Sequence, residues 1–324
     1  MNTVHNMFSN ASAVQGLRDG GYGDADFDIE VAPLTYEART DEYECYEITE
    51  RMYSSKSVIY RTDTGGELGI HGHGYKPVAP KKMIDGTRNI LERSDLNTVG
   101  LTEQIRTSHD GARCFVLHNL PAHTYETGDG DRASLSLLST SSFDGTWPFM
   151  ISVAAVQSAC TNLQVFVSGE VAIYKAKHTQ SLDIEHGANI IVKSLDVFNN
   201  ERELWKAWQG TQVSDMEAFY FFADALDVKL DSKSFSHSYS PADLLHKLPR
   251  RNENLNYIWR VYDAVYRNRL GANWWAVYNA MTDWSTHFGA VRQSSERNIA
   301  SIQNDRQQVI RKAIKSEPAL RLAA

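Results

Sequence analysis

The chain has 324 residues, of which 42% are hydrophobic and 23% charged, and a formal net charge of −7. That is room for one large domain or two ordinary ones, and no apolar run approaches the roughly 20 residues needed to span a bilayer. The opening "MNTVHNMFSN" lacks the cationic and apolar regions of a secretory signal, so the expected compartment is the cytoplasm.

The charge is unevenly spread. Residues 1–50 carry Arg18 and Arg39 against eleven carboxylates, a balance of −9, which leaves the rest of the chain at +2. An acidic segment on a mildly basic body can aid solubility, contact a protein partner or mimic nucleic acid. Cys45, Cys114 and Cys160 lie far apart without a CxxC pair, which argues against a disulfide framework and a cysteine zinc site.

In chain order, "RDGGYGDADFD" offers turn chemistry and little to bury, so residues 1–38 are expected to be a flexible acidic arm. "SKSVIYRTDTGGELGIHGHGYKPV" follows. Val58 and Tyr60 before, and Leu68 and Ile70 after, Asp63-Thr64-Gly65-Gly66 predict a β-hairpin. "PKKMIDGTRNILERS" predicts a helix with Met83, Ile84, Ile90 and Leu91 on its apolar side, weakened by Gly86. "LTEQIRTS", "ARCFVLHNL", "ASLSLLSTSS", "FMISVAAVQS" and "QVFVSGEVAIYKAKHT" predict strands, with turns at "SHDG" and "SFDG".

From about residue 183 the period becomes helical: Ile184, Ile191, Leu195, Phe198, Leu204 and Trp208 share a side, and Gly210 is a stop. Ser214 or Asp215 caps the next helix, with Glu217 in its first turn. "SPADLLHKLP" predicts a short helix with Pro241 in its first turn. Residues 252–288 predict two aromatic helices broken near Gly271, and residues 291–324 a polar helix with one narrow packing face. Strands first and helices afterwards predict an α+β fold, a mostly antiparallel sheet with hairpins packed by C-terminal helices. Residues 39–290 are expected to form a single domain, strand-rich to about 182.

The chemistry-bearing motifs are few. GxxxxGK[ST], a strand-linked GxGxxG, HExxH and GxSxG are all missing from the sequence. His71 and His73 are i, i+2 neighbours that share a strand face, without a third ligand at fixed spacing. Asp110 and Asp144 fall in turns, where Asp serves local geometry. No cofactor is therefore expected and an enzyme is unsupported by any motif; a nuclease or other enzyme, which would need carboxylates converging around a metal, stands third behind two binding readings.

Basic residues beside aromatics form the clearer pattern. "VIYR" contributes Tyr60 and Arg61, "GYKPVAPKK" contributes Tyr75, Lys81 and Lys82, and "IYKAKH" contributes Tyr174, Lys175, Lys177 and His178. Alternation puts Tyr174, Ala176 and His178 on one face and Lys175 and Lys177 on the other. Such faces can track a phosphate backbone while tyrosines stack on bases. Solvated lysines flanking core tyrosines would give the same pattern.

The densest aromatic stretch is "NWWAVYNAMTDWSTHF". Its helical spacing predicts a packing face, with Asn279, Thr282, Asp283 and His287 available to the N–H and O–H groups of its Trp and Tyr side chains.

"HDG", "SACTNLQVF", "AKHTQSL" and above all "NWWAVYNAMTDWSTHF" resemble a phage- and plasmid-encoded family built on a domain of unknown function, the domain-of-unknown-function 932 type. Cys160 and Asn162 match its Cys–Asn pair; His178 and Thr179 match its "RHT", with Lys177 for Arg. Asn279, Ala280, Thr282 and His287 match its C-terminal helix, with Asp283 for its acidic residue. The resemblance runs from about residue 40 to 290 and implies a mobile-element origin in a bacterial host.

The element order is also similar in outline to Rad-type single-strand annealing proteins, which bind single strands around an oligomer without nucleotide hydrolysis. That implies a homo-oligomer binding single-stranded DNA, with the lysines, Arg61 and the tyrosines in contact with it. The alternative is a non-enzymatic protein-binding module, for example one that interferes with host defence, using its acidic N-terminal region.

Overall fold

The computed structural model describes residues 12–43, 46–94, 96–126, 130, 132–157, 163–164, 173–176, 193–230, 239–247, 252–289 and 299–318. Among them the chain is α+β, with two antiparallel sheets followed by a helical layer.

The N-terminal segment departs from the expected arm. Residues 12–19 form a helix (α1), and Gly23–Ala25 a short 3-10 turn. Arg18 Nη2 donates to Asn89 Oδ1 (2.7 Å) and Glu92 Oε2 (2.8 Å), and the Tyr22 hydroxyl donates to Asp85 Oδ2 (2.8 Å). Val14 is fully buried. The turn-rich composition concealed these few anchors, which reach partners about seventy residues away and so have no local periodicity.

Strand β1 (Ile29–Tyr43) pairs antiparallel with β2 (Tyr46–Arg61), with register shifts between Pro33 and Thr35 and between Arg39 and Asp41. The residues expected to end the flexible arm are thus in a long hairpin. β2 then turns at the predicted Asp63–Gly66 into β3 (Glu67–Gly72), where Gly65 takes φ +70°, and pairs with it along Lys56–Tyr60. The buried face carries Ile59 and Leu68, whereas Ile70 is 40% exposed. A register shift between Ile59 and Tyr60 breaks the simple alternation of Val58 and Tyr60.

Helix α2 (Pro80–Arg93) follows, with Pro80 in its first turn and Met83, Ile84, Ile90 and Leu91 buried as the periodicity predicts. Gly86 is buried within it. Strands β4 (Thr102–Ser108), β5 (Arg113–Glu126), β6 (Arg132–Ser142) and β7 (Phe149–Gln157) pair in sequence order. Two short strands, β8 (Leu163–Gln164) and β9 (Ile173–Ala176), both pair with β7 at different positions.

Alternation decides which face packs. Cys114, Val116, Leu120, Leu135, Leu137, Ile151, Val153 and Ala155 belong to the main core, while Leu138 and Ala154 sit on the opposite face.

The helices are α3 (Ser194–Gly210), α4 (Asp215–Ala225), α5 (Pro241–Lys247), α6 (Glu253–Val261), α7 (Trp274–His287) and α8 (Ile299–Ser316). Ser214 caps α4 in a capping box: its side chain accepts from the Glu217 amide while Glu217 accepts from the Ser214 amide. After α6 the chain widens to a π-helical turn, Tyr262–Tyr266, and closes with Arg267–Leu270. Gly271, at φ +88°, then breaks the pair where predicted. Asn273 restarts it, its side-chain oxygen accepting from the Ala276 amide (2.9 Å).

Helix α7 is buried nearly all round and touches α3, α4, α6 and α8. A helix with buried side chains on nearly every side belongs in the centre of its layer, and this one is there, its buried Asn279, Thr282 and Ser285 bonded to backbone carbonyls of the same helix. The tail helix α8 packs on one narrow face, Ile310, Ala313 and Ile314, as expected.

Candidate functional site

The two similar turns, after β4 and after β6, lie side by side at one end of the larger sheet. The Phe143 amide donates to the Ala112 carbonyl (2.7 Å). In the first turn His109 and Asp110 take φ +54° and +56°, the left-handed region that Asp and His enter more readily than most residues. In the second, Asp144 accepts from the Thr146 amide (3.0 Å) and from Arg113 Nε (2.6 Å). Burial pushes the Asp144 carboxyl up, but these bonds outweigh it and hold it below the ordinary carboxylate range. The prediction that both Asp residues serve turns therefore holds, and Asp144 also pins an arginine.

Strand β3 crosses this end of the sheet. Its Gly69 sits so close to the Phe143 carbonyl that an added Cβ would collide with it. Next to it, His71 Nε2 is bonded to the same carbonyl; a carbonyl only accepts, so Nε2 carries the proton. The His71 ring lies flat on Tyr75, with centroids 3.9 Å apart and planes 9° from parallel. The Tyr75 hydroxyl donates to the Ser142 carbonyl (2.8 Å), and burial, reinforced by the Asp144 carboxylate, pushes its pKa up, so it stays neutral.

Val31, Ser57, Ile59, His71, Gly72, His73, Tyr75 and Pro77 line a cleft of about 250 Å³ here. Ser57 Oγ lies 3.3 Å from His73 Nδ1. The walls are apolar at Val31, Ile59 and Pro77 and polar at the two imidazoles and Ser57. Such a cleft suits a flat ring with a polar edge. Exposed Lys56 stands opposite Gly72 in the register, and exposed Lys76 lies between Tyr75 and Pro77 in the chain.

The other sequence-predicted contacts are dispersed. Arg61 grips Asp63 with two bonds (2.9 and 2.6 Å), donates to the Asp110 carbonyl (3.0 Å) and lies 4.1 Å over the Phe27 ring. Gly111 leaves room for that ring; an added Cβ would strike it. Lys81 is paired with Asp26 (2.9 Å) and Asp28 (3.2 Å), and the Tyr60 hydroxyl donates to Glu30. Lys82 is exposed at the start of α2.

Tyr174 and Lys175 lie on β9, opposite Ile151 and Met150. Lys177, His178, Cys45, Cys160 and Asn162 lie outside the described residues. Among the described residues, Tyr75 is the predicted DNA contact that lines the cleft, beside the His71–His73 pair. Ser57, Lys56 and Lys76 were missed: nothing in a single serine or in lone lysines marks them until β2 and β3 pair.

A buried polar network lies elsewhere, between β4, β5 and α2. Arg88, 1% exposed, donates to both Glu103 oxygens (3.0 and 2.5 Å) and to the Leu17 and Gly21 carbonyls (3.1 and 2.7 Å). His118 Nε2 lies 2.7 Å from Glu103, while its Nδ1 finds no hydrogen-bond partner among the described residues. Burial pushes the Glu103 carboxyl up, but the bonds from His118 and Arg88 win and hold it below its usual value. The network ties the N-terminal segment to the sheet.

The aromatic stretch of α7 is core. Trp274, Trp275, Tyr278 and Trp284 are at most 5% exposed. Asp283 accepts from the hydroxyls of Tyr257 (2.6 Å) and Tyr266 (2.9 Å), as its proximity suggested. Trp284 Nε1 instead donates to Asn254 (2.9 Å), and Asn279 and Thr282 bond the backbone of their own helix.

Among the described residues no three His, Cys, Asp or Glu side chains converge into a metal-ligand set, and no helix is long and apolar enough to cross a membrane. The chain belongs to the family described as "Domain of unknown function (DUF932)", whose model matches residues 67–305. No curated protein and no solved structure matches it.

Proposed function

We propose that this member of the domain-of-unknown-function 932 family is a phage- or plasmid-type protein that binds single-stranded DNA and anneals complementary strands without nucleotide hydrolysis. The observation that carries the reading is the cleft beside the paired turns: a stacked His71–Tyr75 surface, an imidazole and a serine hydroxyl, with Lys56 and Lys76 alongside. Bases stack on flat rings of any kind, and lysines neutralise phosphates, which makes such binding sequence-tolerant and salt-dependent.

Arg61 and Lys81 contribute less in this reading, because Asp63, Asp26 and Asp28 already balance them. Lys82, exposed at the start of α2, and the sequence neighbours Lys175 and Lys177 are further cationic candidates in this reading. The outline similarity to Rad-type annealing proteins rests on element order and supports the reading only at that level.

The test is binding of the full chain to a fluorescent single-stranded oligonucleotide at low and moderate salt, with duplex as control. Salt-sensitive preference for the single strand is expected. It should weaken when Lys56 and Lys76 become Glu, and again when Lys175 and Lys177 do. A protein that ignores the oligonucleotide at low salt overturns the reading.

A second reading, a protein-binding module of a mobile element, is favoured by the acidic hairpin β1–β2, whose Tyr36 and Tyr53 are 54% and 72% exposed. It predicts a stable protein complex and no affinity for DNA.

A further inference from the structure

Strand β3 supports the hairpin only along Lys56–Tyr60. Farther out, β1 and β2 continue as a two-stranded ribbon, from the Thr35–Tyr53 pair to the Tyr43–Tyr46 pair. At about 3.3 Å per residue, that outer part is roughly 30 Å long. Tyr36 and Met52 stand opposite each other on one face, 54% and 41% exposed; Tyr53, opposite Thr35, is on the other face and 72% exposed.

Two-stranded ribbons are at best marginally stable in water, and large aromatics exposed on both faces add nothing to stability in the isolated chain. Among the described residues no further strand pairs with the ribbon's sides, and open strand edges invite a partner.

The charge indicates the partner's chemistry. The outer ribbon, residues 35–53, carries six carboxylates against Arg39 and Arg51, the latter opposite Glu37, so its net charge is negative and a basic surface complements it. Helix α8 (Ile299–Ser316) carries four cationic side chains and one aspartate. Arg306 is committed to the Trp284 and Phe288 carbonyls (2.7 and 2.9 Å), and Arg311 is partly withdrawn from solvent. Lys312 and Lys315, three residues apart and so on one side of the helix, are exposed. Their alkyl stems can cover tyrosine rings while their ammonium groups meet carboxylates or the ring faces.

Both surfaces are exposed in the single chain, at Tyr36, Glu37, Glu50 and Tyr53 on the ribbon and at Lys312 and Lys315 on α8. We propose that the acidic hairpin of one copy docks on the Lys312–Lys315 face of α8 in a second copy. Each copy then offers one donor arm and one receptor helix. The contact is heterologous and repeats until it closes into a ring or continues as a filament. Nucleic-acid binding at the cleft is a separate matter; the proposal takes the surface of the second reading and commits it to this chain itself.

The test is sedimentation velocity of the full chain, without nucleic acid, over a range of concentration at low and high salt. Self-association that weakens with salt is expected. Glu37→Lys/Glu50→Lys and Lys312→Glu/Lys315→Glu should each weaken it by roughly tenfold or more, since like charges then face each other. All four substitutions in one chain should restore it. Unchanged circular dichroism and melting temperature in each variant show that folding is not the cause.

A wild type that stays monomeric at every concentration overturns the proposal. So does an assembly indifferent to the reversals, or one lost in both variants and not recovered in the combined one. A monomeric protein whose hairpin variants lose a different partner assigns the arm to that partner and overturns it equally. Loss of DNA binding with self-association intact would sink the cleft reading and leave this one standing.

Discussion

Two regions of this chain are rich in aromatic side chains, and they are put to opposite uses. Along α7, Trp274, Trp275, Tyr278 and Trp284 are buried among α3, α4, α6 and α8. Trp275 lies 5.3 Å from Trp205 and 5.6 Å from Tyr278, centroid to centroid. On the hairpin, Tyr36 and Tyr53 stand in solvent on a ribbon two strands wide. Aromatic density therefore does not reveal a site by itself. What separates the regions is the layer behind each: α7 has neighbours on every side, whereas among the described residues no element covers the ribbon's faces beyond the reach of β3.

That contrast can be broken most severely at Trp275. Trp275→Ala should cost about 3–5 kcal/mol, the usual range for a large ring removed from a packed core, read as a lowered urea midpoint at unchanged slope. A loss under about 1 kcal/mol would mean that the helical layer is much looser than its burial implies.

Next comes the buried polar network, which sets the N-terminal segment apart from the ribbon that follows it. Arg88→Ala removes the group that joins Glu103 to the Leu17 and Gly21 carbonyls. Breaking a buried ion pair by truncating one partner costs about 3 kcal/mol or more, because the other charge stays behind. Faster amide exchange in residues 12–19 should accompany the loss.

The same network has a pH signature. The Glu103 carboxyl is held below its ordinary value in the folded chain, so its stabilising contribution is full above that ordinary value. It fades as pH falls through the lowered folded value. Urea midpoints followed from neutral into acid should fall in that window, and less steeply in Glu103→Gln.

A smaller effect is expected at Asp283, where one carboxylate accepts from two tyrosines on the neighbouring helical segment. Asp283→Asn keeps the volume but leaves a single amide oxygen for two hydroxyls. A cost of about 1–3 kcal/mol follows from one buried donor losing its partner. Adding Tyr257→Phe should recover part of it, since the donor is then gone as well; no recovery would place the cost elsewhere.

These cases show how far residues alone can be read. The α2 face, the Gly271 break, the Ser214 cap and the narrow stripe of α8 were legible because each is a local pattern of period or capping. The docking of residues 12–25 was not, since Arg18, Tyr22 and Arg88 find their partners far along the chain. The cleft was half legible. Tyr75 stood out beside basic residues and His71 and His73 as a pair, yet Ser57 and Lys56 join them only through the register of β2 with β3. The two DG turns carried a signal, their shared residues, but no indication that they would sit side by side.

The smallest stability effect is expected where the comparison is sharpest. Tyr53 is as aromatic as Tyr278, but its ring is 72% exposed, against 1% for Tyr278. Tyr36→Ser/Tyr53→Ser should therefore change the urea midpoint of the dilute protein by no more than about 0.5 kcal/mol per site, the range of ordinary surface substitutions. The same double variant should weaken self-association, because rings that bury nothing in one chain have apolar area to lose only when a second copy covers them. A stability loss in the dilute protein as large as a core truncation would show that the ribbon folds back on its own body. Unchanged stability together with unchanged association would show that the tyrosines are left in water, and the ribbon would then owe any docking to its carboxylates alone.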